Sequence, residues 1–276
     1  MKSGIYLVAT PIGNIGDITL RGIEVLKNAD TIACEDTRMT KKLLSLLGIP
    51  AHGKNFITLE DHNETETAQS VINEAEEGKI VAYVSDAGSP LISDPGYKLA
   101  KKCREQGVYL TTIPGACAVI CGLQLSGLPT NNFMFAGFIP NKDKARKDHL
   151  SKYKDVQTTL VFYETANRLV KTLAVADEVF NKREIAVARE ITKIFEECRT
   201  GTAAELMDYY AENPPKGEIV LMVAPPEEDT ETDYKEELIK EMAQNSLKTA
   251  VKNIVDKYKL NKNEVYQMAL ELKNGK

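Results

Sequence analysis

Short runs of apolar residues alternate with amphipathic stretches along the first part of the chain. Each run has the length and composition of a buried strand. The runs are residues 5–9, 31–34, 79–84 and 108–113. The stretches between them predict helices at 19–28, 37–47 and 64–77, one that ends at 106, and one at 116–125. This alternation predicts a largely parallel sheet covered by helices on both faces.

A second set of strands and helices follows residue 127. The predicted strands are 133–138, 159–163, 185–189 and 219–224, and the predicted helices are 142–153, 167–179 and about 203–210. Turn-forming residues at 126–130 predict a domain boundary, and the composition changes abruptly at Pro225. We therefore predict an N-terminal α/β domain at 1–126, a C-terminal α/β domain at 127–225, and a linker with a small helical appendage at 226–276. The appendage includes helices at 247–258 and 262–272.

Composition narrows the class of protein. The 276 residues are 43% hydrophobic and 27% charged, which suits a globular protein with a sizeable core. The sequence has no run of 18 apolar residues and no signal-peptide pattern at its start, so we expect no membrane span. The five cysteines are scattered, and the three histidines show no metal-ligand spacing. These features predict a cytoplasmic protein without a bound metal.

The distribution of charge leaves room for a nucleic-acid partner. The net charge of −5 argues weakly against one. Residues 142–154, however, contain six basic and two acidic side chains, and residues 248–276 contain seven lysines and three acids. Either basic run alone is also typical of a solvated helix face.

Three loops rich in Gly and Pro follow predicted strands, at residues 10–17, 85–96 and 114–118. Ligands of open parallel sheets bind beyond the carboxyl ends of strands, and glycine lets the backbone approach a ligand closely. One such loop could be an ordinary turn, but three at one sheet edge favour a site for a polar small molecule. No G-x-G-x-x-G or G-K-[ST] motif occurs, which disfavours a dinucleotide dehydrogenase or a P-loop ATPase.

Two polar clusters, residues 35–38 and 60–64, follow other elements of the first half. Arg38 suits a phosphate, and His62 could be a general base or an ordinary surface histidine. Asp36 and Asn63 could instead cap the helices that follow them. A nucleophilic enzyme is poorly supported, because G-x-S-x-G is absent and Cys117 has no evident histidine partner.

Nine segments resemble, in order, the motifs of the ribosomal RNA small subunit methyltransferase I family, within the tetrapyrrole-methylase superfamily. They are residues 8–19, 34–38, 61–64, 84–96, 113–115, 126–130, 162–164, 189–193 and 216–218. Together they span about residues 4–225 and are specific as a set. The chain departs from the family pattern at Met39, at 116–118 and at 165–168.

The resemblance implies two α/β domains of tetrapyrrole-methylase type with a cofactor cleft between them. It implies that S-adenosyl-L-methionine binds there, and that a homodimer methylates the ribose 2′-hydroxyl of a decoding-centre cytidine in 16S rRNA. We expect the substrate to be the assembled 30S subunit. Carried over by position, the cofactor residues are Pro11, Asp86, Ala87, Gly88, Cys117, Ala118, Tyr163, Glu164 and Glu218.

The side-chain chemistry suggests candidates for a catalytic base and for phosphate contacts, but it does not choose among them. A base for the ribose hydroxyl could be His62, Glu35, Asp36 or Glu64. The candidates for phosphate contacts are Arg38, Lys41, Lys42, Lys144, Arg146 and Lys147. Two alternatives stay open: a small-molecule methyltransferase of the tetrapyrrole type, and a non-enzymatic RNA-binding protein of ribosome assembly.

Overall fold

A computed structural model describes residues 1–60, 62–226, 233–258 and 260–274. Residues 1–226 form one compact unit and 227–276 a second, and each is described by itself. The strands are β1 Gly4–Val8, β2 Thr31–Cys34, β3 Asn55–Thr58, β4 Ile80–Val84, β5 Leu110–Ile113, β6 Phe133–Phe138, β7 Thr159–Thr165, β8 Ile185–Arg189, β9 Glu197–Gly201 and β10 Glu218–Val223. The helices are α1 Leu20–Asn28, α2 Thr37–Leu46, α3 Glu64–Glu76, α4 Tyr97–Gln106, α5 Ala118–Ser126, α6 Asp143–Ser151, α7 Leu169–Phe180, α8 Ala203–Glu212, α9 Asp233–Gln244, α10 Leu247–Tyr258 and α11 Lys262–Lys273.

The first sheet contains β1 to β5 in the order β3-β2-β4-β1-β5. All of its strand pairs are parallel. Successive side chains of a strand point to opposite faces, so Tyr6 and Val8 pack with Val25 and Leu26 of α1, while Ile5 joins a cluster on the other face. The prediction of a parallel sheet covered on both faces is confirmed.

The second sheet is mixed, with the order β6-β7-β10-β8-β9. Strand β6 is parallel to β7, and the other pairs are antiparallel. Helices α6, α7 and α8 contribute to the core on one face. Helix α5 covers the other face, where Val119 and Leu123 pack with Val161 and Val220. A helix predicted to close the N-terminal domain thus packs on the second sheet. The division at 126 and 225 remains a proposal.

Two strands were not predicted from the sequence, β3 and β9. Both lie at the edges of their sheets. Their sequences, Asn-Phe-Ile-Thr and Glu-Cys-Arg-Thr-Gly, mix polar with apolar residues, and no residue of either strand is buried. An edge strand is bonded on one side only and can stay partly solvated, so it shows no continuous apolar run.

Helices α9 to α11 pack around a small apolar cluster that includes Tyr234, Leu238, Ile254 and Val265. The predicted helices at 247–258 and 262–272 correspond to α10 and α11. Residues 227–232 of the predicted linker lie outside the described residues. Within the described part of the chain, no helix is both long and apolar enough to cross a membrane.

Candidate functional site

Hydrogen bonds join the three loops that follow β1, β4 and β5. Thr10 and Gly88 exchange backbone bonds, with N···O distances of 2.9 Å from Thr10 N and 3.1 Å from Gly88 N. The Ser89 hydroxyl donates to the carbonyl of Ala116 at 3.0 Å. Because β4, β1 and β5 are adjacent, these bonds make one continuous surface of the three loops.

The loop after β4 contains strained backbone. Leu91 and Ser93 have φ angles of 71° and 69°, in the left-handed region that costs an L-residue roughly 1–2 kcal/mol. The end of the loop is held by Glu64, whose Oε1 accepts bonds from Gly96 N at 2.9 Å and Lys98 N at 2.6 Å. Strain of this size persists only where surrounding contacts enforce it, as at binding sites.

Glu64 therefore caps the start of α4. Its side chain is buried and lines neither of the two cavities described below. Glu64 was also a candidate for the base, and in the structure its carboxylate is engaged by backbone N–H groups. Asn63 stands at the N-cap of α3 but does not cap it, since its side chain bonds back to Thr58 and Glu60.

The main cavity has a volume of about 250 Å³ and lies between the three loops and the strands β7 and β10. It brings together eight of the nine residues predicted for the cofactor. These are Asp86, Ala87, Gly88, Cys117, Ala118, Tyr163, Glu164 and Glu218. The ninth, Pro11, does not line it, whereas its neighbour Ile12 does.

Aromatic side chains form one wall of the main cavity. The Tyr163 ring packs against Phe135 and Phe138, with centroid distances of 4.9 Å and 5.2 Å. The Tyr163 hydroxyl is protonated at neutral pH, as in an ordinary tyrosine, and burial raises its pKa further. Phe138 lines the cavity and remains 55% exposed, which leaves an apolar surface open to a ligand.

Glu164 supports this wall from within the second sheet. Its side chain is fully buried, and Oε1 accepts bonds from Arg168 Nε at 2.7 Å and Thr165 N at 2.7 Å. The hydroxyl of Thr172 donates to Oε2 at 2.6 Å. These four residues tie the end of β7 to the start of α7.

A second cavity of about 460 Å³ lies beside the first, and Asp86 lines both. Its other lining residues are Glu35, Asp36, Thr37, Arg38, Thr58 and Glu60. Within the described chain, no group of three or more His, Cys, Asp or Glu side chains could hold a metal ion.

The two aspartates of the second cavity differ in their environments. Hydrogen bonds from Arg38, including Nη2 to Oδ2 at 2.8 Å, lower the pKa of Asp36 to about 2. Asp36 also begins α2, where it accepts a bond from Arg38 N. Burial raises the pKa of the Asp86 carboxyl, and the nearby charge of Asp36 raises it further. The Asp86 carboxylate is therefore the stronger base of the two.

The remaining base candidates separate in space. Glu35 and Asp36 line the second cavity, while His62 lines neither cavity. The His62 side chain is 76% exposed, and its Nδ1 lies 3.4 Å from Glu60 Oε2. The structure thus gives His62 the position of an ordinary surface histidine.

Comparison with known proteins identifies the family. A family model described as Tetrapyrrole (Corrin/Porphyrin) Methylases matches residues 4–207. A protein of Erythrobacter litoralis (strain HTCC2594) named "Ribosomal RNA small subunit methyltransferase I" is 52% identical, over 99% of this chain and 96% of the relative. A protein of the same name from Vibrio cholerae is 43% identical, over 97% and 94% of the two chains. The chain belongs to this family of methyltransferases.

Solved structures show the family fold in more distant proteins. Diphthine synthase aligns with a TM-score of 0.63 at 16% identity, over 80% of this chain and 89% of that chain. Uroporphyrin-III-C-methyltransferase from Thermus thermophilus aligns with a TM-score of 0.56 at 20% identity, over 81% and 94%. These likenesses establish the tetrapyrrole-methylase fold of this family member, and at such identities they establish the fold alone.

The basic residues predicted to contact RNA differ in their exposure and in their partners. Lys41, Lys42 and Lys144 are exposed, and the Arg38 side chain is 91% exposed beside Asp36. Arg146, in contrast, is only 1% exposed and donates to Asp143 and to the carbonyl of Asn141. The guanidinium fixes the turn before α6, and the sequence could not distinguish this inward position on a polar helix.

Lys147 lies on the same helix as Arg146, and its Nζ is 2.7 Å from Glu178 Oε2. Both of these side chains are more than half exposed. Such a pair leaves Lys147 accessible but partly neutralised. We therefore retain Lys144 as the principal phosphate candidate of α6.

Glu190 and Lys193 are charged residues of the main cavity that received no role from the sequence. Both belong to the family motif at 189–193, which directly follows a predicted strand. Their position after a strand could have identified them, because ligand sites lie beyond the carboxyl ends of strands.

Proposed function

We propose that the chain transfers a methyl group from S-adenosyl-L-methionine to the ribose 2′-hydroxyl of a decoding-centre cytidine in 16S rRNA. The observation that carries the proposal is identity of 43–52% over nearly the whole chain to proteins named as small-subunit ribosomal RNA methyltransferases. The two adjoining cavities support it, since methyl transfer needs a donor site beside an acceptor site.

The lining of the main cavity fits this methyl donor. S-adenosylmethionine combines a flat aromatic adenine, whose faces pack on apolar surface, with a positive sulfonium and an amino-acid end, and when bound it supplies a methyl group already activated for transfer. Ile12, Phe138 and Ile191 provide apolar wall, while Asp86 and Glu218 provide negative charge that attracts a cation. A mostly apolar pocket with a few charged groups is the usual form of a small-molecule site.

The second cavity is the proposed place for the target ribose. Asp86 stands where the two cavities meet, and Glu35 and Asp36 lie beyond it. Any of these carboxylates could accept the proton of the 2′-hydroxyl as the new carbon–oxygen bond forms. The raised pKa of Asp86 adds it to the candidates. The target nucleotide must leave its stack to reach this depth.

The exposed basic side chains of α2 and α6 are proposed to contact phosphates, namely Arg38, Lys41, Lys42 and Lys144. We further propose that the substrate is the assembled 30S subunit, and that the enzyme works as a homodimer in the cytoplasm. Basic groups can bind RNA locally despite a negative net charge of the protein. At moderate salt, charges more than about 10 Å from a phosphate are largely screened, so the nearby basic groups dominate.

Changing Arg38 to Gln is expected to weaken RNA binding and to flatten its dependence on salt. Loss of one phosphate contact should reduce the slope of log affinity against log salt by about 0.7–0.9. Filter binding to 30S subunits at several salt concentrations measures both quantities. Arg104→Gln is the control, since Arg104 is an exposed arginine in the last turn of α4 and lines neither cavity. Equal slopes for the Arg38 variant and wild type would remove Arg38 from the RNA surface.

The function itself is tested by methyl transfer from radiolabelled S-adenosylmethionine to 30S subunits that lack their own 2′-O-methyl mark, with naked rRNA alongside. We expect label in 16S rRNA at a ribose of the decoding centre. Donor binding by calorimetry with no label in RNA would instead favour a small-molecule methyltransferase. Binding to 30S subunits with no methyl transfer to any substrate would favour a non-enzymatic assembly protein.

A further inference from the structure

The loop that follows β8, residues 190–196, has an enforced conformation. Glu190 and Thr192 have φ angles of 50° and 67°, both left-handed and costly for residues with side chains. The backbone N–H of Lys193 donates to the carbonyl of Glu190 at 2.9 Å. The N–H of Thr192 donates to Glu196 Oε2 at 2.6 Å. Loop 190–196 therefore holds its side chains in set directions rather than leaving them free.

Glu190 and Lys193 form an ion pair within this loop. Lys193 Nζ lies 2.8 Å from Glu190 Oε1, and the two side chains are 36% and 18% exposed. Both line the main cavity. A pair so placed is partly shielded from water yet open to a ligand, so its charges act more strongly than those of a surface pair.

Two glycines leave space for this pair. A Cβ at Gly217 would lie 1.9 Å from Glu190 Oε1, and a Cβ at Gly13 would lie 2.5 Å from the Cγ of Lys193. Gly13 belongs to the loop after β1, so Lys193 extends from the second sheet to the loops of the first. The side chain thus crosses from one wall of the main cavity to the other.

The charge pattern of the cavity singles out Lys193. Of the described residues that line the main cavity, Lys193 alone is cationic, whereas five carboxylates line it. The carboxylates are Asp86, Asp94, Glu164, Glu190 and Glu218. An anionic group of any ligand is repelled by most of this surface and attracted at one point.

We propose that the Glu190–Lys193 pair recognises the α-amino-acid end of the methyl donor, with Lys193 bound to its carboxylate and Glu190 to its ammonium. This inference rests on the proposed function, which supplies the identity of the donor. An α-amino acid carries one negative and one positive group close together, and the ion pair presents the complementary charges 2.8 Å apart. Each contact is a charge-assisted hydrogen bond, the stronger class of such bonds.

Calorimetry with two nucleosides tests the assignment without any turnover. S-adenosylhomocysteine retains the amino-acid end, whereas 5′-methylthioadenosine lacks it. Lys193→Met is expected to weaken binding of S-adenosylhomocysteine by about 10- to 100-fold, the loss typical of one hydrogen bond to a charged group. Binding of 5′-methylthioadenosine should stay unchanged. Glu190→Gln keeps the side-chain volume, and it should also weaken binding of S-adenosylhomocysteine alone.

Lys147→Met is the matched control, because it breaks an ion pair of similar length, 2.7 Å, outside the cavity. It should change neither affinity, and thermal melting of all variants checks that they fold. If Lys193→Met leaves both affinities unchanged, or lowers both equally, the assignment is overturned. The donor carboxylate would then be held elsewhere, such as at the start of α5. Failure of the wild-type protein to bind S-adenosylhomocysteine would instead overturn the proposed function.

Discussion

Replacing Glu164 with Ala should lower the free energy of unfolding by about 3–5 kcal/mol, the usual cost of breaking a buried ion pair from one side. The substitution leaves the Arg168 guanidinium, whose side chain is only 18% exposed, without its carboxylate. It also removes the acceptor for the buried Thr172 hydroxyl. Chemical denaturation measures the change, and a fall in the melting temperature should accompany it.

The matched control for this prediction is Glu178→Ala, which removes the acid of an exposed ion pair with Lys147. Its cost should be within about 1 kcal/mol, because solvent screens such pairs. Equal effects of the two substitutions would show that the Glu164 network contributes no more than a surface pair. Glu164→Gln should lie between them, since it keeps hydrogen-bonding capacity but loses the charge.

A Gly217→Ala variant is expected to displace the Glu190 carboxylate, because the new Cβ would meet Glu190 Oε1 at 1.9 Å. The carboxylate belongs to a flexible side chain and can move away, so the protein should still fold. Its movement breaks the ion pair with Lys193, and affinity for S-adenosylhomocysteine should fall by about 10-fold or more. Calorimetry measures the affinity.

Gly53→Ala separates this effect from the cost of backbone strain. Gly53 has a φ of 82° against 83° for Gly217, but nothing lies within 4 Å of its Cβ position. Both variants should lose about 1 kcal/mol of stability through the left-handed conformation. Only Gly217→Ala should lose affinity. If the two variants bind the nucleoside equally well, the position of Glu190 has no bearing on the ligand.

The candidate site illustrates how far local patterns reach. The family resemblance assigned Asp86, Gly88 and Cys117 to the cofactor, and the loops that contain them were expected at one sheet edge because they follow parallel strands. The structure places all three residues in the lining of one cavity. Glu190 and Lys193 were missed as cavity residues, although their motif was recognised. Their participation depends on how the second sheet faces those loops, which no pattern along the chain describes.

The burial of particular polar side chains also could not be predicted from the sequence. Arg146 sits on a helix of mostly charged residues, and nothing in its spacing marks it as the one that turns inward. Glu64 looks like part of a catalytic cluster until Gly96 and Lys98, more than thirty residues away, are found on its carboxylate. In each case the position of the side chain depends on hydrogen-bond partners that no sequence pattern identifies.

The sequence by itself determined the alternation of strands and helices, the parallel first sheet, the loops at its edge and the family. These features follow from apolar periodicity, turn residues and motifs, which are local properties of the chain. Only the tertiary structure decided the edge strands β3 and β9, the packing of α5 on the second sheet, and the Glu190–Lys193 pair in the cavity wall. Those features arise from contacts between distant segments, where burial and charge pairing depend on three-dimensional neighbours.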